Sequence, residues 1–113
     1  MANDPRQVLI VEDDREVLEL LHDIFLANGY TCQLANDGRE GLKLFEVHRP
    51  PLTITDLKMP GMDGLDFLKA AHALDPAAAI IVLTGMGDLK TAIECLKQGA
   101  ADFILKPANI DEL

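Results

Sequence analysis

Basic residues are scarce in this chain. Lys and Arg number 10 against 19 Asp and Glu, for a formal net charge of −9, and they form no cluster. Aromatics make up only 4% and tryptophan is missing, so there is no stacking platform either. Both shortages argue against direct nucleic-acid binding by this segment. No apolar run approaches the ~20 residues of a membrane span. The N-terminus MANDPRQ lacks the basic-then-apolar order of a signal peptide. A soluble cytoplasmic protein without a membrane partner is the expectation. Cysteine is rare. Cys32 and Cys95 show no metal spacing and sit in apolar-periodic segments, so reduced, buried thiols are expected rather than a disulfide. Repeats, low-complexity tracts and linkers are absent as well. What remains is a single domain over residues 1–113, with an apolar fraction of 49% that suits a folded core.

What is present is an alternation of apolar strands and amphipathic helices. Gln7–Val11 (QVLIV) is β-branched and too apolar for a one-sided sheet, so it reads as a central parallel strand. Asp14 can cap the next helix, which presents Val17, Leu18, Leu21, Ile24, Phe25 and Asn28 on one face and ends at Asn28-Gly29. A second strand follows over Tyr30–Ala35. Asn36-Asp37-Gly38 turns into a helix running to His48 or Arg49, weakened by Gly41 at about 1 kcal/mol relative to Ala, and Pro50-Pro51 stops it. Leu52–Thr55 is the third strand. Asp63 can cap a helix over Leu65–Leu74. Ala79–Leu83 is a fourth strand ending at Thr84. Asp88 is expected to cap a helix with Leu89, Ile93, Leu96 and Ala100 on its core face. Phe103–Leu105 is the fifth strand, followed by Lys106-Pro107, and Asn109 or Asp111 would begin another helix. The pattern is an α/β doubly wound parallel sheet, with helices on both faces and a ligand site at the carboxyl ends of the strands.

The chemistry-bearing residues stand at those ends. Glu12-Asp13 follows the first strand, Asp56 the third, Thr84 the fourth and Lys106 the fifth. Carboxylates brought together without a cation repel and raise each other's pKa. A hard divalent ion such as Mg²⁺ removes that cost, prefers oxygen, and uses one or two carboxylates plus a phosphoryl oxygen. Lys106 adds a point charge for an anion, and Thr84 a hydroxyl donor. Such a set suits a phosphoryl receiver, with Asp56 as nucleophile and the cations spreading transition-state charge.

Four motifs carry a resemblance: VLIVEDD (Val8–Asp14), TDLKMPGMDG (Thr55–Gly64), VLTG (Val82–Gly85) and GAADFILKP (Gly99–Pro107). In order and spacing the chain resembles the receiver domains of bacterial two-component response regulators. That resemblance implies the flavodoxin-like, CheY-like strand order 2-1-3-4-5. It implies Asp56 as the phosphoacceptor, Asp13 as a direct Mg²⁺ ligand, Glu12 acting through a metal-bound water, and the Lys58 backbone carbonyl as a further ligand. Thr84 matches the hydroxyl that moves to the phosphoryl group, Phe103 the aromatic switch and Lys106 the family's lysine, with a cis Lys106–Pro107 bond. A sensor histidine kinase would supply the phosphate. The face of the fourth helix and fifth strand would then control an output domain or downstream protein. Gly85–Glu94 (GMGDLKTAIE) most resembles receivers attached to DNA-binding transcription regulators.

Simpler readings stand beside these. Asp14 and Asp63 read as caps, the Lys58 side chain as solvated, and His22, His48 and His72 as surface or edge residues. Phe103 and Thr84 could each be merely structural. Met86, two residues past Thr84, is placed to shield an acyl phosphate from water. A metal-dependent phosphatase would want a second Asp two residues after the nucleophile, where Lys58 stands. A flavin protein would want a phosphate-cradling loop where Glu12-Asp13-Asp14 would repel it. An interaction module that is not phosphorylated would be expected to lack part of the acid, Thr and Lys set. Three departures from the family are Glu12 for a more frequent Asp, Pro51 for a common acid, and a fifth helix that is truncated or missing. The last would bare an apolar patch and allow a homodimer.

Overall fold

The apolar strand sequences do what their composition requires, forming a sheet with helices packed on both faces. In the computed structural model, which describes residues 5–106, strands β1 (Gln7–Val11), β2 (Thr31–Ala35), β3 (Leu52–Asp56), β4 (Ala79–Thr84) and β5 (Asp102–Leu105) are all parallel. Their order is β2-β1-β3-β4-β5, as the resemblance implied. Val8, Leu9, Ile10 and Val11 have no exposed surface, as befits a strand flanked on both edges. Helices α1 (Arg15–Ala27), α2 (Gly38–His48), α3 (Gly64–Leu74) and α4 (Leu89–Lys97) supply the crossovers. The expected fifth helix and the Lys106–Pro107 bond lie outside the described residues, as does the side chain of Met86.

Alternation along the strands divides the core into two layers. Leu9, Val11, Ile80 and Val82 face Phe45 of α2, Phe67, Leu68 and Ala71 of α3, and Cys95 of α4. Val8, Ile10, Ile54 and Leu83 face Leu18 and Leu21 of α1, with Val17 and Phe25 packed at the margin. Phe45 and Phe67 meet edge to face at 6.2 Å, joining α2 to α3. Both cysteines are free, Cys95 buried and Cys32 half-buried.

Three helices begin as the sequence suggests. Asp14, Asp37 and Asp63 have extended backbones, and their carboxylates accept from Glu16 N at 3.0 Å, Glu40 N at 2.8 Å and Asp66 N at 2.8 Å. The fourth does not. Asp88 closes a short 3₁₀ turn over Met86–Asp88 and makes no side-chain cap to α4.

The face of α4 also differs from expectation. Leu89, Ile93 and Leu96 are 38%, 48% and 37% exposed, whereas Ala92 and Cys95 are buried. Ala100, just past the helix, is buried as expected. The small side chains are the ones fully covered, and the larger ones are left partly exposed. Gly41 likewise proves to be a packing position rather than a weak point. A Cβ there would sit 2.7 Å from Val11 Cγ2 and 3.3 Å from Phe67 Cε2.

Two stability outcomes follow. Gly41→Ala should lower stability by about 1–3 kcal/mol despite its better helix propensity, because Val11 is stiff and fully buried. Thr53 is fully buried mid-strand and its hydroxyl has no hydrogen-bond partner. Thr53→Val should therefore raise stability by about 1 kcal/mol. Urea denaturation of both variants checks the two signs together.

Candidate functional site

The acids converge because the parallel register brings the strand ends level. Val11 aligns with Ala35 on one side and Thr55 on the other, and Thr55 aligns with Val82. Glu12 therefore lies one residue beyond β1, with its N–H donating to Ala35 O at 3.0 Å. Asp56 ends β3, and its neighbour in β4 is Leu83. Lys106 leaves β5 with its N–H donating to Thr84 O at 2.7 Å, which fixes where its side chain starts.

That side chain spans the site. Lys106 Nζ lies 2.8 Å from Glu12 Oε1 and 3.0 Å from Asp56 Oδ2. The second Glu12 oxygen accepts from Asp14 N at 3.0 Å, and Asp56 Oδ1 accepts from Leu57 N at 2.8 Å. Glu12 is fully buried, Asp56 is nearly so, and Asp13 beside them is exposed. One oxygen from each of the three can be chosen so that all lie within 4.8 Å of one another. Gly64 makes room for the loop above them. A Cβ on it would fall 2.5 Å from Asp56 O and 2.8 Å from Leu57 Cα. Gly64 N also donates to Leu57 O at 2.8 Å, so the chain doubles back against the end of β3.

The electrostatics follow from burial. Loss of water raises the Glu12 carboxyl to about 7, although Lys106 and the Asp14 amide pull it down; the Asp56 charge pushes it further up. Burial alone would lower the Lys106 ammonium, but the hydrogen bond to Glu12 and the charges of Asp56 and Glu12 more than offset it, so its pKa is raised. One ammonium faces three carboxylates, and negative charge is left over. A cluster of hard oxygen donors with an uncompensated charge fits a divalent cation such as Mg²⁺.

The remaining candidates are distributed around this centre. Thr84 is 1% exposed, and its hydroxyl donates to Gly85 O at 3.1 Å rather than to an acid. Phe103 aligns with Val82 on β5 and is half-buried against the α2, α3 and α4 core layer. Lys58 follows Asp56 by two residues, and its side chain is 78% exposed, as expected. It is not merely solvated, however: its Nζ lies 3.0 Å from Asp88 Oδ1. This pair, which sequence reasoning missed, crosses the rim of a groove of about 450 Å³ between the loop after β3 and the start of α4. His72 is half-buried at the edge of α3, with Nε2 3.1 Å from Ala78 O, and the site does not use it.

The raised Glu12 pKa makes stability depend on pH. The folded state holds a proton on Glu12 up to about pH 7, whereas the unfolded chain releases it near the ordinary glutamate value of 4.5. The folded form therefore binds more protons in that window, and stability falls as pH rises through it. In EDTA, Glu12→Gln should remove this slope. The variant should gain on the wild type by on the order of 1–3 kcal/mol between pH 4.5 and pH 8. Parallel curves for the two proteins in urea would show that Glu12 is not the group responsible.

Comparison with known proteins converges on one family. Residues 8–113 match the family model described as the response regulator receiver domain. Among curated proteins, the regulatory protein AtoC of Escherichia coli is 36% identical over 95% of this chain and 23% of its own length. The transcriptional regulatory protein ZraR of Escherichia coli is 35% identical over 100% and 26%. The chain thus spans about a quarter of those two relatives. Sporulation initiation phosphotransferase F of Bacillus subtilis is 35% identical over 95% of this chain and 86% of its own. A receiver domain protein from Clostridium thermocellum superposes with a TM-score of 0.88 at 31% identity, covering 94% of this chain and 86% of that one. A CheY-like receiver domain protein from Methanospirillum hungatei gives 0.87 at 34%, covering 95% and 86%. Matched along nearly its whole length in sequence, strand order and backbone, this chain belongs to the response regulator receiver family, a signalling family rather than a classical enzyme.

Proposed function

We propose that residues 1–113 act as one receiver domain whose phosphoacceptor is Asp56. The observation that carries this is the Lys106 ammonium shared between Glu12 and Asp56 at 2.8 and 3.0 Å, with Asp13 alongside. Receiver domains work with histidine kinases and with output domains or downstream proteins. A phosphohistidine of a sensor kinase is accordingly the donor. One carboxylate oxygen of Asp56 attacks phosphorus, the P–N bond breaks, and the imidazole leaves with its electron pair and takes a proton. Leu57 N holds the other Asp56 oxygen, which orients the nucleophile. Lys106 spreads charge from the incoming phosphoryl oxygens.

Glu12, Asp13, Asp56 and the Lys58 carbonyl would hold Mg²⁺. When bound, the ion neutralises phosphoryl charge that Lys106 alone does not. Thr84 must give up Gly85 O before it can serve the phosphoryl group, and Phe103, on the neighbouring strand, would follow it. The α4–β5 face then changes its preference for a partner, a population shift between two packings. Leu89, Ile93 and Leu96 form its apolar surface, suited to an output domain or to a second copy in a homodimer. With a net charge of −9, the segment itself does not bind nucleic acid. No described helix is long and apolar enough to cross a membrane. A cytoplasmic site of action fits the reading.

Incubation with Mg²⁺ and acetyl phosphate should add one phosphoryl group by intact mass, removable by hydroxylamine. Asp56→Asn and excess EDTA should each abolish it, and Lys106→Met should lower the rate at least tenfold. Modification that survives in Asp56→Asn would move the acceptor elsewhere. Absence of any adduct, with a phosphorylated kinase as well, would leave an interaction module.

A further inference from the structure

Among the described α-helices, α4 alone begins without a side-chain cap, although an aspartate stands in the capping position. The reason is visible in the backbone. Asp14, Asp37 and Asp63 have ψ of 114°, 178° or the like, in the extended region, but Asp88 has ψ of 17°. It is held there by the 3₁₀ turn, in which Asp88 N donates to Gly85 O at 3.1 Å. From this position its carboxylate meets Lys58 Nζ at 3.0 Å instead of the first-turn amides of α4. Asp88 is 19% exposed and Lys58 78%, so the anchored partner is the aspartate.

We infer that Asp88 is a positioning residue with two alternative uses. In the present arrangement it ties the loop after β3 to the loop after β4 through Lys58. In the other, ψ turns to the extended region, the ion pair opens and the carboxylate caps α4 at the amides of Lys90 and Thr91. The two loops it joins follow directly on Asp56 at the end of β3 and Thr84 at the end of β4, and they carry the Lys58 carbonyl and Gly85. A shift of Thr84 toward a phosphoryl group on Asp56 draws on the Gly85–Asp88 turn and so favours the capped arrangement. This last step rests on the phosphoacceptor reading given above, whereas the exchange of partners by Asp88 does not. An ion pair this exposed biases an equilibrium by a factor of roughly two to five. That suffices to set a balance between two arrangements, yet a ligand can overcome it.

Amide hydrogen exchange of the full chain by NMR tests both halves. Without ligand, Lys58→Gln should slow exchange at Lys90 and Thr91 by roughly two- to fivefold, because Asp88 is released to cap. Asp88→Ala should show no slowing, and Lys58→Gln should have no effect in the Asp88→Ala background. Slowing that persists without Asp88, or is absent with it, overturns the exchange of partners. With Mg²⁺ and beryllofluoride, a phosphoryl mimic, the wild type should show the same slowing at the same two amides. If fluorine NMR shows beryllofluoride bound and the two amides are unchanged, the coupling to the site is wrong. If the mimic does not bind at all, the phosphoacceptor reading fails, and the ligand-free comparison still decides the role of Asp88.

Discussion

One ammonium group holds the strand ends together. Lys106 reaches back from β5 to Glu12 beyond β1 and Asp56 at the end of β3, and so bridges strands that are not neighbours of β5. Without it, a fully buried glutamate and a nearly buried aspartate would lie side by side with no countercharge. Every other feature of the site accommodates this arrangement. The sheet register brings the carboxylates level, Asp14 N and Leu57 N occupy their remaining oxygens, and Gly64 clears the backbone above them. The compensation is incomplete: one positive charge leaves the cluster net negative, which suits the cation, and through it the anion, that the proposed function requires.

On the function proposed above, the arrangement would let such a site switch rather than simply bind. Its hydrogen bonds are local ones that can be exchanged. The Thr84 hydroxyl rests on the carbonyl of the next residue, and the Lys58 side chain rests on an aspartate that other helices would use as a cap. Interactions of this type are individually weak, so exchanging them would cost little beside the electrostatic change that the proposed phosphorylation would bring.

The sheet and the acidic centre were legible in the sequence for a physical reason. A parallel sheet needs apolar runs on both faces, and such runs end abruptly at their first charged residue. Glu12, Asp56 and Lys106 therefore announce their strand ends and, through the topology, their own proximity, and Thr84-Gly85 marks the fourth. What escaped was set by tertiary packing. Hydrophobic periodicity shows that α4 is amphipathic, but its apolar residues form a broad band. Selection of Ala92 and Cys95 over Leu89, Ile93 and Leu96 depends on how closely the helix approaches the sheet. Gly41 looked costly on helix propensity because the demand for it comes from Val11, thirty residues away in sequence. Asp88 carried the right residue type for a cap, and the 3₁₀ turn before it, which no spacing announced, gave its carboxylate another use.

The seat of α4 has a consequence of its own. Large side chains interlock with the sheet and resist translation, because moving them opens voids that water cannot fill. Ala92 and Cys95 project too little to interlock. A helix resting on such residues meets a smoother surface, so a small slide or roll would open less void than it would under a bulkier seat. The bulky residues, carried on the outer side, travel with it as a relief pattern read from outside. Under the proposed switch, a small motion at the sheet would thereby change the outer surface shape with little reorganisation of the core beneath.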